Sequence, residues 1–183
     1  ICCVDTSPIS EKVWAQRAGL GWIGKHTNLI TKDYGTWVFL GEIITDFKLE
    51  YDKVFTTNLC GSCTACVDAC PTDAIIGDYK LDATKCISYQ TIENRSEIPE
   101  EFIGKMDGWI YGCDICQEVC PWNHRFSVIS NEASFQPRDF LKNSDINFLY
   151  DLNQEEFSKY FKDSPMKRTK RDGLKRNIDF LKY

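Results

Sequence analysis

The sequence predicts an α+β fold in three consecutive parts, because the character of the chain changes twice along its 183 residues. Helix-like and strand-like patterns occupy residues 1–55, and eight cysteines lie within residues 56–125. Amphipathic patterns typical of helices fill residues 126–183. A chain of this length can bury a core in one or two domains. We therefore expect an α+β domain, a cysteine-rich module and a helical C-terminal region.

In the first part, Ser7 and Pro8 are typical of a helix start and Gly19 of a helix end, which predicts a helix over residues 8–18. Strands are predicted over residues 28–31 and 36–45, joined by a turn. The C-terminal part predicts helices over residues 135–141, 154–161 and 171–181.

The composition is that of an ordinary globular protein, with 43% hydrophobic and 27% charged residues, which excludes a disordered or fibrous chain. The net charge of −5 excludes a uniformly basic nucleic-acid surface. We see neither a membrane-spanning run nor an export leader, so we expect a cytoplasmic protein with no membrane partner. The opening residues resemble a strand entered partway, and we expect that the true start is missing.

Three glycines, Gly19, Gly21 and Gly24, spell G-x-G-x-x-G. Phosphate-binding loops of this type need a strand before the glycines and a helix after them, whereas here a helix precedes and a strand follows. The related P-loop would also need Ser or Thr where His26 stands. We therefore reject nucleotide binding and expect close backbone packing around a different ligand.

Cysteine spacing is the strongest signal in the sequence. The first run reads C-x2-C-x2-C-x3-C-P and comprises Cys60, Cys63, Cys66, Cys70 and Pro71. The second reads C-x2-C-x3-C-P and comprises Cys113, Cys116, Cys120 and Pro121. The first pattern is typical of proteins with two [4Fe–4S] clusters, in which the cysteine before the proline serves the other cluster. The second run lacks one cysteine, and Cys86 supplies it.

This logic assigns one cluster to Cys60, Cys63, Cys66 and Cys120, and the other to Cys70, Cys86, Cys113 and Cys116. Paired zinc sites and disulfides are alternatives. Zinc ribbons usually use two separated C-x2-C pairs, and disulfides conflict with a reducing compartment, so the pattern favours clusters. Cys2 and Cys3 are left over, and we expect them to be buried structural thiols.

Several segments resemble epoxyqueuosine reductases. They are residues 4–8 (VDTSP), 15–25 (AQRAGLGWIGK), 37–42 (WVFLGE), 86–89 (CISY) and 111–116 (YGCDIC). The resemblance is strong over residues 1–125 and loose in the basic tail, which comprises residues 167–176. The family carries a further N-terminal region that helps to enclose its cofactor, and its helical C-terminal repeat region is longer than the corresponding part of this chain.

The resemblance implies a cobalamin-dependent enzyme that reduces epoxyqueuosine to queuosine at the anticodon wobble position of tRNA. Its fold would be part of a cobalamin-binding reductase domain, a two-cluster ferredoxin-like module and a short helical region. An unidentified low-potential donor would supply electrons. Asp5 matches the family's general acid, although it could instead cap the following helix. By family position, the residues near cobalamin are Asp5, Lys25, Asn28, Leu40, Ser88, Gln90 and Asp114.

The basic tail is the candidate contact for tRNA phosphates. Its residues are Lys167, Arg168, Lys170, Arg171, Lys175 and Arg176. A solvated helical face is the alternative. Trp109, Trp122 and Arg95 could stack on splayed anticodon bases. Two other functions stay open: a cobalamin-dependent reductase of small molecules, similar to reductive dehalogenases, and a ferredoxin-type electron carrier.

Overall fold

The computed structural model describes residue 3, residues 7–142 and residues 144–182. The described residues form two compact units, each built from separate stretches of chain. The first unit comprises the described residues up to Ala69, together with Ile75–Leu81 and Ile115–Val128. The second unit comprises Cys70–Ala74, Asp82–Asp114 and the described residues from Ile129 onward. The three-part division expected from the sequence stays a prediction.

Short helices and very short strands make up both units. The α-helices of the described residues are α1 (Glu11–Arg17), α2 (Ala65–Asp68), α3 (Ile87–Ile92), α4 (Ile115–Glu118), α5 (Pro121–Phe126), α6 (Asp139–Lys142), α7 (Ile146–Asp151), α8 (Gln154–Tyr160) and α9 (Lys170–Phe180). The strands are β1 (Trp22–Ile23), β2 (Leu29–Ile30), β3 (Ile75–Gly77) and β4 (Lys80–Leu81). Within the described residues, no helix is long and apolar enough to cross a membrane.

Helix α1 begins later than predicted. The carbonyl oxygen of Ser10 accepts the backbone N–H groups of Val13 and Trp14, at 3.0 and 3.1 Å, so the helix starts at Glu11 rather than at Pro8. This start places the Glu11 carboxylate at the positive end of the helix dipole. The predicted end is confirmed, because Gly19 has φ of +77°, a conformation that glycine adopts readily.

The first sheet confirms one predicted strand and shows that another was wrong. Strand β2 lies within the predicted residues 28–31 and pairs antiparallel with β1. Residues 36–45 form no strand, and Phe39 and Ile43 in that segment are 87% and 93% exposed. An alternating apolar pattern becomes a strand only where a neighbouring strand accepts its backbone hydrogen bonds. Among the described residues, only the isolated bridge between Thr31 and Gly35 forms here.

The second unit is mainly helical. One core joins residues of α7, α8 and α9 through Leu149, Phe157, Leu174 and their neighbours. A second core packs α3 against the segment that follows it. The predicted helices over residues 154–161 and 171–181 are confirmed within one residue at each end.

The predicted helix over residues 135–141 is confirmed only for its last three residues. The chain forms a 3₁₀ turn over Ala133–Phe135, and α6 starts only at Asp139. Pro137 explains the break, because the residue before a proline is pushed out of the helical region and proline lacks the N–H that a helix interior needs.

Candidate metal centre

The first unit contains a cavity of about 170 Å³ that four cysteines line: Cys60, Cys63, Cys66 and Cys120. These are the four residues that the spacing assigned to one cluster. Cys120 lies more than fifty residues along the chain from the other three, so the fold brings it to them. Cys66 and Cys120 are buried, and Cys60 and Cys63 are more accessible.

Local structure positions each of these cysteines. Between Cys60 and Cys63 the chain makes a tight turn, in which the Cys63 N–H donates to the Cys60 carbonyl at 3.0 Å. Gly61 in this turn has φ of +52°, a left-handed conformation that disfavours other residues. Cys66 lies in α2. Cys120 directly precedes α5, whose first residue is a proline with φ already suited to a helix start.

Burial and crowding shape the ionisation of these thiols. Burial raises the pKa of Cys66, and the nearby Cys60 raises it further. Burial is also the main cause that raises the pKa of Cys120. A thiol ligates iron as thiolate, so binding must be accompanied by proton release, and the positive charge of the iron compensates the crowded negative charge. The indole N–H of Trp22 already donates to Cys60 Sγ at 3.5 Å.

The donor set fits a [4Fe–4S] cluster, which takes four cysteine thiolates. Among residues 3, 7–142 and 144–182, no three His, Cys, Asp or Glu side chains converge on a position for one metal ion. A cubane places a separate iron under each thiolate, so its four sulfur ligands lie farther apart than ligands that share one ion. Cys60, Cys63, Cys66, Cys70, Cys86 and Cys120 are free thiols in the structure.

Three cysteines of the second predicted set, Cys70, Cys86 and Cys113, belong to the second unit, whereas Cys116 belongs to the first. Cys70 Sγ accepts the backbone N–H of Ala74 at 3.3 Å. That these four cysteines hold a second cluster stays a prediction.

The two remaining cysteines lie near the start of the chain. Cys2 lies outside the described residues. The expectation of a buried thiol is wrong for Cys3, which is exposed. The next described residues, Ser7 and Pro8, are exposed as well.

His26 lines the same cavity from the turn that joins β1 to β2. Its side chain is 4% exposed, and burial lowers the pKa of His26 to about 4. Its Nδ1 accepts the backbone N–H of Asn28 at 3.1 Å. At neutral pH the buried imidazole is therefore uncharged.

Two glycines of the G-x-G-x-x-G segment, Gly21 and Gly24, pack closely against β2. A Cβ atom on Gly21 would lie 2.0 Å from the carbonyl oxygen of Ile30, and one on Gly24 would lie 2.6 Å from Ile30 Cδ1. Close backbone packing is therefore confirmed. These contacts are with a neighbouring strand, which leaves no space for a Cβ atom. That the segment also surrounds a ligand stays a prediction.

Of the residues predicted near cobalamin, Lys25, Asn28 and Leu40 lie in the first unit. Lys25 Nζ pairs with Asp78 at 3.3 Å. Desolvation acts to lower the pKa of Lys25, but the hydrogen bond and charge of Asp78 outweigh it and the pKa is raised. Asn28 Oδ1 accepts from Lys12 Nζ at 3.3 Å. Leu40 lines a more open, mainly apolar cavity of about 690 Å³ beside α1.

The other predicted cobalamin residues, Ser88, Gln90 and Asp114, lie in the second unit. Gln90 is buried; its Nε2 donates to the Thr84 carbonyl and its Oε1 accepts from Asn94, both at 2.6 Å. Ser88 and Asp114 are half-buried. Asp5, predicted as both acid and cofactor contact, lies outside the described residues.

The basic tail divides into structural and exposed side chains. Arg176 is structural, because all of its guanidinium N–H groups donate within the chain, to the Asn177 side chain and to the carbonyls of Gln90, Asn94 and Ser96. The prediction that Arg176 grips phosphate is therefore wrong. Arg171 Nε donates to the Leu152 carbonyl at 2.8 Å.

The remaining basic residues of the tail are more accessible. Arg168 pairs with Glu93 at 2.6 Å, and Lys175 Nζ lies 4.7 Å from the centre of the Tyr150 ring. Lys167 and Lys170 are exposed at the start of α9 and just before it. These two lysines are the best placed of the set to meet a polyanion.

The candidate stacking residues have intramolecular contacts. Trp122 packs edge-on against Trp22, with ring centres 4.8 Å apart, beside the four-cysteine cavity. Trp109 packs against the second unit's core. The Arg95 guanidinium donates to the Ile92 carbonyl at 2.8 Å. Trp122 and Trp109 thus shield hydrophobic cores, and no base-stacking role rests on their placement.

Sequence reasoning missed Trp22 and Asn123. Both are buried in the first unit, where Trp22 contacts a cysteine sulfur and Asn123 fixes the loop at Thr36. The position of Asn123, three residues after Cys120, is the sequence feature that could have indicated a role near the cluster site. A buried indole in a two-residue strand leaves no comparable signal.

The spacing of the cysteines and the four-cysteine cavity are typical of an iron–sulfur protein. Residues 59–123 match the family model described as a 4Fe-4S double cluster binding domain. That range contains all eight predicted ligands.

Whole proteins and solved structures also resemble this chain. The chain is 52% identical over 179 residues to the epoxyqueuosine reductase of Cellulophaga algicola, covering 98% of the chain and 58% of that relative. It is 47% identical over 175 residues to that of Synechocystis, covering 95% of the chain and 60% of the relative. A crystal structure of epoxyqueuosine reductase with an epoxyqueuosine-modified tRNA stem loop superposes with a TM-score of 0.90 at 33% identity, covering 98% of the chain and 47% of that protein.

By sequence and by fold, the chain resembles epoxyqueuosine reductases over almost its whole length. It spans about half the length of the relatives that it matches.

Proposed function

We propose that this chain is the cluster-bearing part of an enzyme that reduces epoxyqueuosine to queuosine in tRNA. The observation that carries the proposal is the four-cysteine cavity, within residues that match the double-cluster family model and a chain that resembles epoxyqueuosine reductases. Cys60, Cys63, Cys66 and Cys120 hold one cluster, and Cys70, Cys86, Cys113 and Cys116 hold the other.

The chemistry requires an electron relay. Removing the epoxide oxygen as water, with formation of a carbon–carbon double bond, consumes two electrons and two protons. Iron–sulfur clusters transfer electrons one at a time at low potential. Two clusters therefore suit a two-electron reduction that draws on an external low-potential donor.

Cobalamin is part of the proposal on the strength of the family resemblance. When bound, it would supply a strongly nucleophilic or radical centre. Lys25 and Gln90, two of its expected contacts, already bond Asp78, Thr84 and Asn94, so only their remaining N–H groups would be left for a cofactor. We assign no step of the reaction to these two residues. Leu40 and Asn28 remain candidates for contact.

We propose that the substrate is a tRNA with a queuosine-type anticodon. A solved relative of this fold was crystallised with an epoxyqueuosine-modified tRNA stem loop. In this chain, the exposed Lys167 and Lys170 are the candidate phosphate contacts. Asp5 is the proposed acid that protonates the departing oxygen.

Metal analysis of anaerobically purified protein tests the proposal. About eight irons and eight sulfides per chain are expected, as two [4Fe–4S] clusters require. Zinc with little sulfide would contradict it. Cobalt content and turnover of epoxyqueuosine-containing tRNA, measured on the natural full-length protein, then separate three outcomes. Turnover supports the proposal, cobalt with reduction of small molecules alone indicates a different reductase, and clusters without cobalt indicate an electron carrier.

A further inference from the structure

His26 is a buried side chain that the proposed function does not use. Its Nε2 is closed off from solvent and has no hydrogen-bond partner among the residues that the structure describes. A buried polar group without a partner costs about 1–3 kcal/mol, and such groups are rare in native proteins. The Nε2 atom therefore indicates an acceptor that the described protein atoms do not supply.

The proton on the imidazole ring can be placed from its other nitrogen. Nδ1 accepts the backbone N–H of Asn28, so Nδ1 carries no hydrogen. An uncharged imidazole has one N–H, which must then be on Nε2. The orphaned atom is therefore a hydrogen-bond donor.

Several specific contacts hold the turn that carries His26. The Gly24 N–H donates to the Asn28 carbonyl, and the Thr27 N–H donates to the Gly24 carbonyl, both at 2.8 Å. Thr27 has φ of +67°, which is unfavourable for a β-branched residue, and Lys12 Nζ donates to its carbonyl at 3.0 Å. A Cβ atom on Gly24 would lie 3.1 Å from His26 Cε1. Backbone strain and a glycine thus fix the imidazole beside the cavity.

We propose that His26 donates a hydrogen bond from Nε2 to a sulfur of the cluster held by Cys60, Cys63, Cys66 and Cys120. The inference rests on the proposed cluster site, whose cavity His26 lines. A sulfide or thiolate sulfur of the cluster is the acceptor that this cavity would provide. Trp22, which donates to Cys60 Sγ, would be a second donor to the same cluster.

Such a bond would tune the electron relay. Hydrogen bonds to cluster sulfurs are among the factors that set reduction potential. A donor stabilises the more negative, reduced form and so raises the potential. His26 is then a positioning and tuning residue for the cluster, and neither an iron ligand nor a proton donor to substrate.

Nitrogen labelling gives a direct test, because the chain contains only two histidines. The second, His124, is exposed in α5. The full chain would be prepared anaerobically with ¹⁵N-histidine, reduced, and examined by pulsed electron paramagnetic resonance. We expect a ¹⁵N hyperfine coupling to the cluster in the unmodified chain and in His124→Gln, and its loss in His26→Gln. If reduced His124→Gln protein with full iron and sulfide showed no such coupling, the inference would be overturned.

A redox titration tests the consequence. In His26→Leu the equilibrium constant for reducing this cluster should fall about tenfold, equivalent to about 59 mV for a one-electron couple. His26→Gln, whose amide can still donate, should shift it less, and Trp22→Phe serves as a second donor deletion. Iron and sulfide contents distinguish failure of the proposed cluster site from failure of the proposed role of His26. Absence of clusters from the unmodified chain would refute the site. Full clusters with an unchanged reduction potential in His26→Leu would refute only the role of His26.

Discussion

The side chain of Asn123 holds the backbone and hydroxyl of Thr36. Its Oδ1 accepts the Thr36 N–H at 2.6 Å, and its Nδ2 donates to Thr36 Oγ1 at 2.7 Å. Nδ2 also donates to the Gln117 carbonyl at 2.7 Å. These bonds tie the segment that follows β2 to α5, which begins directly after the predicted ligand Cys120.

Replacing Asn123 with Ala should destabilise the first unit. The substitution removes the acceptor of the buried Thr36 N–H and one of the two partners of the Thr36 hydroxyl, which keeps its bond to Gln117 Oε1, at a cost of about 2 to 4 kcal/mol. The thermal midpoint of the cluster-loaded chain should fall by roughly 5 to 15 °C. His124→Ala is the matched control, since its side chain is exposed on the same helix. Equal midpoints for both variants would mean that the Asn123 bonds contribute little.

Cysteine variants should separate the two clusters. In Cys120→Ser, a harder oxygen ligand replaces a thiolate at the four-cysteine cavity, so the first cluster should be lost or weakened while about four irons remain. Cys86→Ser should instead impair the second cluster. Iron and sulfide analysis with low-temperature electron paramagnetic resonance distinguishes the two. Identical spectra for both variants would show that our division of the cysteines is wrong.

The first cysteine set could be predicted because each run of cysteines is a local pattern. The spacing identifies Cys60, Cys63 and Cys66 as neighbouring ligands, and the rule that the cysteine before a proline serves the other cluster assigns the distant Cys120 to them. The structure accordingly brings Cys60, Cys63, Cys66 and Cys120 to one cavity. Helices α8 and α9 were predicted for the same reason, since their apolar periodicity is a property of each segment alone.

Other features depend on distant contacts that the sequence does not reveal. Residues 36–45 alternate like a strand, but pairing requires a second strand in register, which the described residues do not provide. Arg176 stands in the sequence as one charge of a basic run, although its acceptors lie about eighty residues earlier. Cys3, a thiol expected in a core, lies on the surface. In each case the local pattern is present in the sequence. The structure that the segment adopts depends instead on a non-local contact, or on its absence among the described residues.

The exposed lysines of the tail should contribute to tRNA binding by neutralising phosphates. The double variant Lys167→Ala/Lys170→Ala should weaken affinity and reduce the slope of log K against log salt by roughly two, about one for each phosphate that no longer meets a lysine. The measurement is a salt titration of binding to an anticodon stem loop. Lys48→Ala/Lys80→Ala, which removes two exposed lysines elsewhere, should leave the slope unchanged.

Equal slopes for the two double variants would assign the tail lysines to an ordinary solvated face. Arg176→Ala should behave differently from both, because it leaves backbone carbonyls at Gln90, Asn94 and Ser96 without their donor. Its expected effect is loss of stability rather than a change in salt dependence.

Asp5 allows two roles with different outcomes on substitution. As general acid, it must come within hydrogen-bond reach of the epoxide oxygen and donate a proton as the carbon–oxygen bond breaks. Asn keeps the shape and can still cap a helix, but it has no acidic proton. In the natural full-length protein, Asp5→Asn should therefore retain iron, sulfide and tRNA affinity while turnover falls about 10²- to 10⁴-fold. If Asp5 has only a structural role, turnover stays near normal and stability changes by about 1 kcal/mol or less. Single-turnover reduction of epoxyqueuosine in tRNA decides between the two, and near-normal rates in the Asn variant would remove Asp5 from the mechanism.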